Sequence, residues 1–173
     1  MDWLVTWSKG RQPWFILFLS AFTLICAALY FQHVQGYLPC VKCIYQRTAI
    51  VGITLAAALP LIKMHWITRI IGLIGWIYSA IMGLIVANEH LEVIFPKSFL
   101  IPPCPIEPEF PSFLPLHHWL PNIFAGPGNC DDNSWQFLSM GMAQWMQIIF
   151  SVYLVLGIAV AVTYLIKFRQ VAK

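Results

Sequence analysis

The chain has 173 residues, 60% of them hydrophobic and only 10% charged, with a formal net charge of +3. A soluble domain carries about 25% charged residues, so an ordinary water-facing surface is excluded and the bilayer must be part of the solvent. The length suits one domain rather than two, and the weak positive charge gives no reason to propose a nucleic-acid partner.

Residues 1–13 form a short tail, with Trp3 and Trp7 suited to a membrane interface. The first apolar run, 14–31, has 18 residues and no charge. A helix rises about 1.5 Å per residue and the hydrocarbon core is about 30 Å thick, so roughly 20 residues cross it. Lys9 and Arg11 ahead of this run give it the look of a signal peptide. It is longer than a usual apolar h-region of about 7–15 residues, and no small-x-small cleavage site follows. We read it as a retained helix, in which Cys26 is a small apolar filler.

A loop of 12 residues, 32–43, leads to Cys40-Val-Lys-Cys43 at the start of the second span, 44–62, whose only charge is Arg47. A turn, 63–69, leads to the uncharged third span, 70–87. The loop 88–144 has 57 residues and is the only sizeable part outside the bilayer. Nine of the twelve prolines lie between Pro96 and Pro127, which argues against long helices and central strands there. The stretch 110–124 is nevertheless rich in Phe, Leu and Trp. It must bury those side chains, either in the headgroup region or against the helix ends. The fourth span, 145–166, has 22 uncharged residues and precedes a basic tail, 167–173.

The expected fold is therefore an all-α membrane protein, a four-transmembrane-helix bundle with a long Pro-rich loop carrying a short interfacial segment. Four spans put both termini on one side. That side carries Lys9, Arg11, Lys63, Arg69, Lys167, Arg169 and Lys173, against Lys42, Arg47 and Lys97 on the other. Lys and Arg favour the cytoplasm, so Cys40, Cys43, Cys104 and Cys130 are expected outside it, where disulfides persist.

The Cys40–Cys43 pair sits where a helix begins, after Pro39. Unpaired N–H groups and the positive dipole end favour thiolate over thiol, and Lys42 adds charge in the same sense. A stable thiolate is a good leaving group in exchange. Arg47 follows Cys43 by four residues and shares its face. A charge just inside a span is costly and usually functional. It can steady the Cys43 thiolate, hold a polar head group, or snorkel to the headgroups.

Cys104 and Cys130 are separated by 25 residues. A disulfide closing that loop contributes about 3–4 kcal/mol by chain entropy. It is either a structural staple or an exchangeable bond attacked by an external thiol. All four sulfurs could instead form a four-thiolate zinc site, although zinc ribbons show two short knuckles and this chain has one. His33, His65, His117 and His118 carry no clear signal, and a lone interfacial His90 is usually solvated.

With these residues assembled, the chain resembles the DsbB family, bacterial inner-membrane thiol–quinone oxidoreductases that re-oxidise DsbA. The likeness covers nearly the whole length: four helices, Phe31-Gln-His-Val34, Cys40-Val-Lys-Cys-Ile-Tyr-Gln-Arg47, Cys104, Cys130 and Trp135. It implies that a reduced DsbA-like oxidase attacks a Cys104–Cys130 disulfide through Cys104. Electrons then pass by way of Cys130 and Cys40 to the Cys40–Cys43 pair. Cys43 faces the cofactor, a membrane quinone (ubiquinone or menaquinone), Arg47 matches the family's quinone-site arginine, and His90 resembles a family histidine near the ring. No metal is implied. The resemblance places the protein in the bacterial inner membrane, with the cysteine pairs in the periplasm. One departure is Lys42, where family members often carry an apolar residue, and we expect it to raise the thiolate fraction of Cys43. The competing reading is a non-catalytic membrane subunit whose cysteines staple a loop or hold zinc.

Overall fold

The computed structural model describes residues 10–96, 104–105, 107–111 and 115–171. Trp3, Trp7, Lys9, Lys97 and Lys173 lie outside the described residues. In chain order the elements are α1 (Gln12–His33), α2 (Val41–Ile62), α3 (Trp66–Ile94), the single turns α4 (Leu116–Trp119) and α5 (Pro121–Phe124), the strands β1 (Gln136–Phe137) and β2 (Met140–Gly141), and α6 (Met142–Val171). β1 and β2 pair antiparallel as a minimal hairpin. Among the described residues four helices are long and apolar enough to cross a membrane, and the protein is an all-α, four-helix, multi-pass membrane protein.

α2 is the centre of the bundle. Eleven of its residues are buried, against three in α1. It packs on α1 and on α3, and α3 packs on α6. Lipid tails are as apolar as Leu, so burial alone does not drive helices together in a bilayer, and small residues that permit close contact do. Ala21, Ala57, Ala80 and Ala87 are fully buried. At Gly83 an added Cβ would stand 2.1 Å from a Phe150 ring carbon, so only glycine lets α6 approach α3 there. Leu55, Ile74, Val155 and Leu165 point outward, suited to lipid. Several hydroxyls inside the spans find partners within the bundle, whereas the buried Trp76 Nε1 has no hydrogen-bond partner. Thr54 Oγ1 donates to the Ile50 carbonyl at 2.9 Å, and Tyr153 Oη donates to Ser20 Oγ across α6 and α1 at 3.0 Å. Cys26 lies exposed on α1 rather than filling the core, because the inner face of α1 is taken by Trp14, Leu17 and Ala21.

The helices run beyond the uncharged stretches. α3 continues past Ala87 through Asn88, Glu89 and His90, because each polar group finds a partner inside the fold. Gln147 Nε2 donates to Asn88 Oδ1 at 2.7 Å, Lys42 pairs with Glu89, and His90 is buried against α2. α2 begins at Val41, three residues ahead of the expected span, because Cys40 itself caps it. At the opposite end His65 caps α3 in a capping box with Thr68.

Part of the aromatic-rich loop packs against helix ends, while Trp119 and Leu120 stay exposed and suited to the headgroup region. Phe124 is buried, its ring meets Phe110, and Phe110 meets Tyr45 of α2. The Glu109 N–H donates to Tyr45 Oη at 2.7 Å, and Trp135 packs edge-on against Phe31 of α1.

Candidate active site

Cys40 is the N-cap of α2, with extended backbone at φ −82° and ψ 168°. Its sulfur accepts from the Cys43 N–H at 3.2 Å, which satisfies one of the orphan donors of the first turn. Its thiol donates to Cys43 Sγ at 2.8 Å, so the pair stands as two thiols sharing a hydrogen bond. That bond, and then burial, hold the Cys40 thiol well above the ordinary cysteine range. Cys40 is therefore the partner that keeps its proton. Cys104 and Cys130 are joined in a disulfide with a Cα–Cα distance of 6.2 Å.

The Cys130 arm is docked onto Cys40 by backbone. Gly128 and Cys40 form a parallel bridge, and the Gly128 N–H donates to the Pro39 carbonyl at 3.0 Å. A Cβ on Gly128 would sit 2.3 Å from the Leu38 carbonyl oxygen, so the close approach requires glycine.

His90 joins the two pairs. Its Nε2 lies 3.6 Å from Cys40 Sγ and 3.1 Å from the Cys130 carbonyl oxygen, and its Nδ1 lies 3.4 Å from Gln46 Nε2. The amide of Gln46 donates to Nδ1, and Nε2–H donates to the carbonyl, which assigns the neutral Nε2–H tautomer from the surrounding partners. Gln46 and His90 are each 3% exposed, so both ring nitrogens depend on protein groups.

Arg47 is buried one turn beyond Cys43. Nη1 donates to Gln32 Oε1 at 2.8 Å and to the Ile123 carbonyl, while Nε is buried without a hydrogen-bond partner. Gln32 Nε2 in turn donates to the Asn122 carbonyl at 3.0 Å. Arg47 thus fastens α5 to the ends of α1 and α2. It does not snorkel freely.

Lys42 forms an ion pair with Glu89. The lysine expected to act on Cys43 is held by a carboxylate of α3, which bounds the field it places on the sulfurs.

A cavity of about 310 Å³ opens beside these groups. Leu24, Ala28, Phe31, Met146 and Ile149 give it an apolar wall from α1 and α6, and Cys43, Arg47 and His90 line its polar end. Of the residues singled out in the sequence, Cys40, Cys43, Arg47 and His90 converge on this cavity. Cys130 joins them through its backbone, and Cys104 through its disulfide. Gln32, Gln46 and Glu89 were not anticipated. The usable signal was polarity at the ends of apolar runs, directly beside Arg47 and His90.

The family model for Disulfide bond formation protein DsbB matches residues 10–160. A protein of Idiomarina loihiensis named Disulfide bond formation protein B is 43% identical over 162 residues, covering 93% of this chain and 90% of that one. One of the same name from Pseudoalteromonas atlantica is 40% identical over 171 residues, covering 99% and 100%. Another from Shewanella frigidimarina is 42% identical over 155 residues, covering 88% and 90%.

Proposed function

The chain belongs to the DsbB family of disulfide bond formation proteins, and from that premise we propose how this disulfide-forming oxidoreductase moves its electrons. A DsbA-like dithiol oxidase is the donor and a membrane quinone the acceptor. The route is Cys104–Cys130 first and Cys40–Cys43 second. The observation that carries the route is His90, whose Nε2 touches the Cys40 sulfur and the Cys130 carbonyl at once.

The thiolate of the donor bonds to Cys104, and the Cys104–Cys130 bond breaks with the electron pair on Cys130. The Cys130 thiolate then attacks Cys40 of an oxidised Cys40–Cys43 pair, and Cys43 leaves as thiolate. The second donor thiol attacks its own sulfur in the Cys104 mixed disulfide and frees Cys104. Cys104 closes on Cys130, releasing Cys40. The outcome is a Cys104–Cys130 disulfide with a reduced Cys40–Cys43 pair.

When bound, a quinone supplies the capacity to take two electrons and two protons. The residues present fit one. The cavity has an apolar wall, and the buried, unpartnered Arg47 Nε is a donor for a ring carbonyl oxygen. Cys43 lines the same cavity as the sulfur that would give up electrons, and Cys40 holds a proton beside it.

The distribution of Lys and Arg supports cytoplasmic termini and periplasmic cysteines in the inner membrane, as one integral domain. The non-catalytic alternative is not favoured by family membership, and the four-thiolate site lacks two of its thiolates while Cys104 and Cys130 are bonded to each other.

The test is a turnover assay with a reduced DsbA-like protein and either ubiquinone or menaquinone, following quinone absorbance. Turnover with one or both is expected. No turnover of the intact protein with either class would reject the assignment.

A further inference from the structure

The reduced pair has a third potential ligand that disulfide exchange between the two pairs does not require as a metal-binding group. Cys40 Sγ, Cys43 Sγ and a ring nitrogen of His90 all lie within 4.8 Å of one another. Cys40 and His90 are 2% and 3% exposed, so the set is built into the protein interior and is not a chance surface grouping. The geometry points to a redox-gated binding site for a zinc-class cation, formed by Cys40, Cys43 and His90 only while the pair is reduced. It goes beyond the proposed electron route and is independent of it.

Four features support it. Two thiolates and one imidazole are the donor set that Zn²⁺ prefers, and three protein ligands leave one position for water. The Cys40 Sγ–His90 Nε2 distance of 3.6 Å is close to that between sulfur and nitrogen on one tetrahedral ion with bonds of about 2.3 and 2.0 Å, whereas the two sulfurs, now 2.8 Å apart, must part to about 3.8 Å by side-chain rotation to share it. Second, the two sulfurs face each other at 2.8 Å, and the Cys43 N–H already points at Cys40 Sγ. A divalent cation bound by both offsets the charge of two thiolates, and the fixed N–H stabilises a sulfur anion. Third, Gln46 can orient the imidazole. Moving the ring proton from Nε2 to Nδ1 frees Nε2 as a ligand, and a turn of the Gln46 amide replaces its NH₂ by its oxygen in the same space. Fourth, the ammonium of Lys42, one residue from Cys43, is already matched by Glu89.

Binding breaks two S–H bonds, forms two S–metal bonds and one N–metal bond, and releases two protons. No electron is transferred. A disulfide offers no thiolate, so oxidation of the pair expels the cation. The bound state would hold the electrons in the chain and stop exchange until the cation is removed.

The test uses the full-length protein in detergent carrying Cys104→Ser and Cys130→Ser, reduced and then titrated with Zn²⁺ against a chromophoric chelator. One Zn²⁺ per chain is expected, and none after the pair is oxidised. Affinity should fall at least tenfold in His90→Ala and by about tenfold in Gln46→Leu. Because misfolding of His90→Ala would also lower affinity, X-ray absorption at the zinc edge of the His90-containing protein gives a second reading. Two sulfurs near 2.3 Å with one imidazole nitrogen near 2.0 Å are expected. No stoichiometric binding, binding that survives oxidation, or a shell without imidazole would overturn the site. The measurement needs neither quinone nor dithiol donor, so its failure leaves the electron route standing.

Discussion

His90 Nε2 stands 3.6 Å from Cys40 Sγ, and the same nitrogen reaches the backbone of Cys130 at 3.1 Å. The imidazole is therefore placed to manage a proton at the sulfur where the two pairs meet. General acid–base help of this kind contributes about 100-fold or more. His90→Ala should lower turnover by about 100-fold, with little change in KM for the dithiol donor, because the donor is proposed to meet Cys104. Steady-state kinetics with varied donor concentration check this. A rise in donor KM with kcat unchanged would place His90 at the docking surface instead.

Cys40 gives a pH prediction with a definite sign. The bond to Cys43 and burial both raise its pKa, so thiolate is scarce at neutral pH and grows only as the solution becomes alkaline. Alkylation requires thiolate. Labelling of Cys40 in the reduced protein should be slow at about pH 7 and keep rising with pH beyond the free-cysteine pKa of about 8.5, without levelling off there. Mass spectrometry of iodoacetamide-treated samples across pH reads this directly. Rapid labelling of Cys40 at neutral pH would show that Cys43 holds the proton.

Gly128 lets the Cys130 arm lie against Leu38 and Pro39. A methyl group there meets the Leu38 carbonyl oxygen at 2.3 Å, a backbone atom that cannot swing aside. Gly128→Ala should slow transfer between the pairs by about tenfold or more, equivalent to about 1.4 kcal/mol of lost alignment. Reduction of quinone by the Cys40–Cys43 pair alone should stay intact. Rapid mixing with pre-reduced protein separates the two steps, and equal slowing of both would contradict the assignment.

Much of this arrangement was legible in the sequence, and the limit has a physical origin. The four helices could be read because a bilayer forces backbone pairing and apolar side chains along one continuous segment. The two cysteine pairs and Arg47 were visible by type and spacing. The convergence on His90 was not, because it requires α3 to continue through Asn88, Glu89 and His90. Polar residues end a hydropathy pattern even when tertiary partners keep the helix going. The partners lie far away in sequence: Gln46 is 44 residues from His90, and Ile123 is 76 residues from Arg47. No local pattern carries that information. The resemblance to a family placed His90 near the site, while only the fold brought it to Cys40.

Lys42 and Glu89, 47 residues apart, tie the cysteine turn to α3. The Lys42 side chain is 14% exposed and that of Glu89 46%, so screening limits the pair to about 0.5–1 kcal/mol. Lys42→Leu and Glu89→Gln should each lower stability slightly. The double variant should lose less than the sum, with a coupling of about 0.5–1 kcal/mol. Denaturation of all four forms in detergent gives the cycle. Strict additivity would mean that the two side chains do not act on each other.

The central claim is that electrons enter at Cys104–Cys130 and leave from Cys40–Cys43. Single-turnover mixing of the quinone-loaded protein with a reduced DsbA-like donor tests it most directly, with quinone absorbance as the signal. The account predicts one quinone reduced per donor dithiol oxidised, and no reduction on that timescale in Cys104→Ser, Cys130→Ser, Cys40→Ser or Cys43→Ser. Undiminished quinone reduction in the protein lacking Cys104 and Cys130 would contradict it, because the donor would then be reaching the Cys40–Cys43 pair directly.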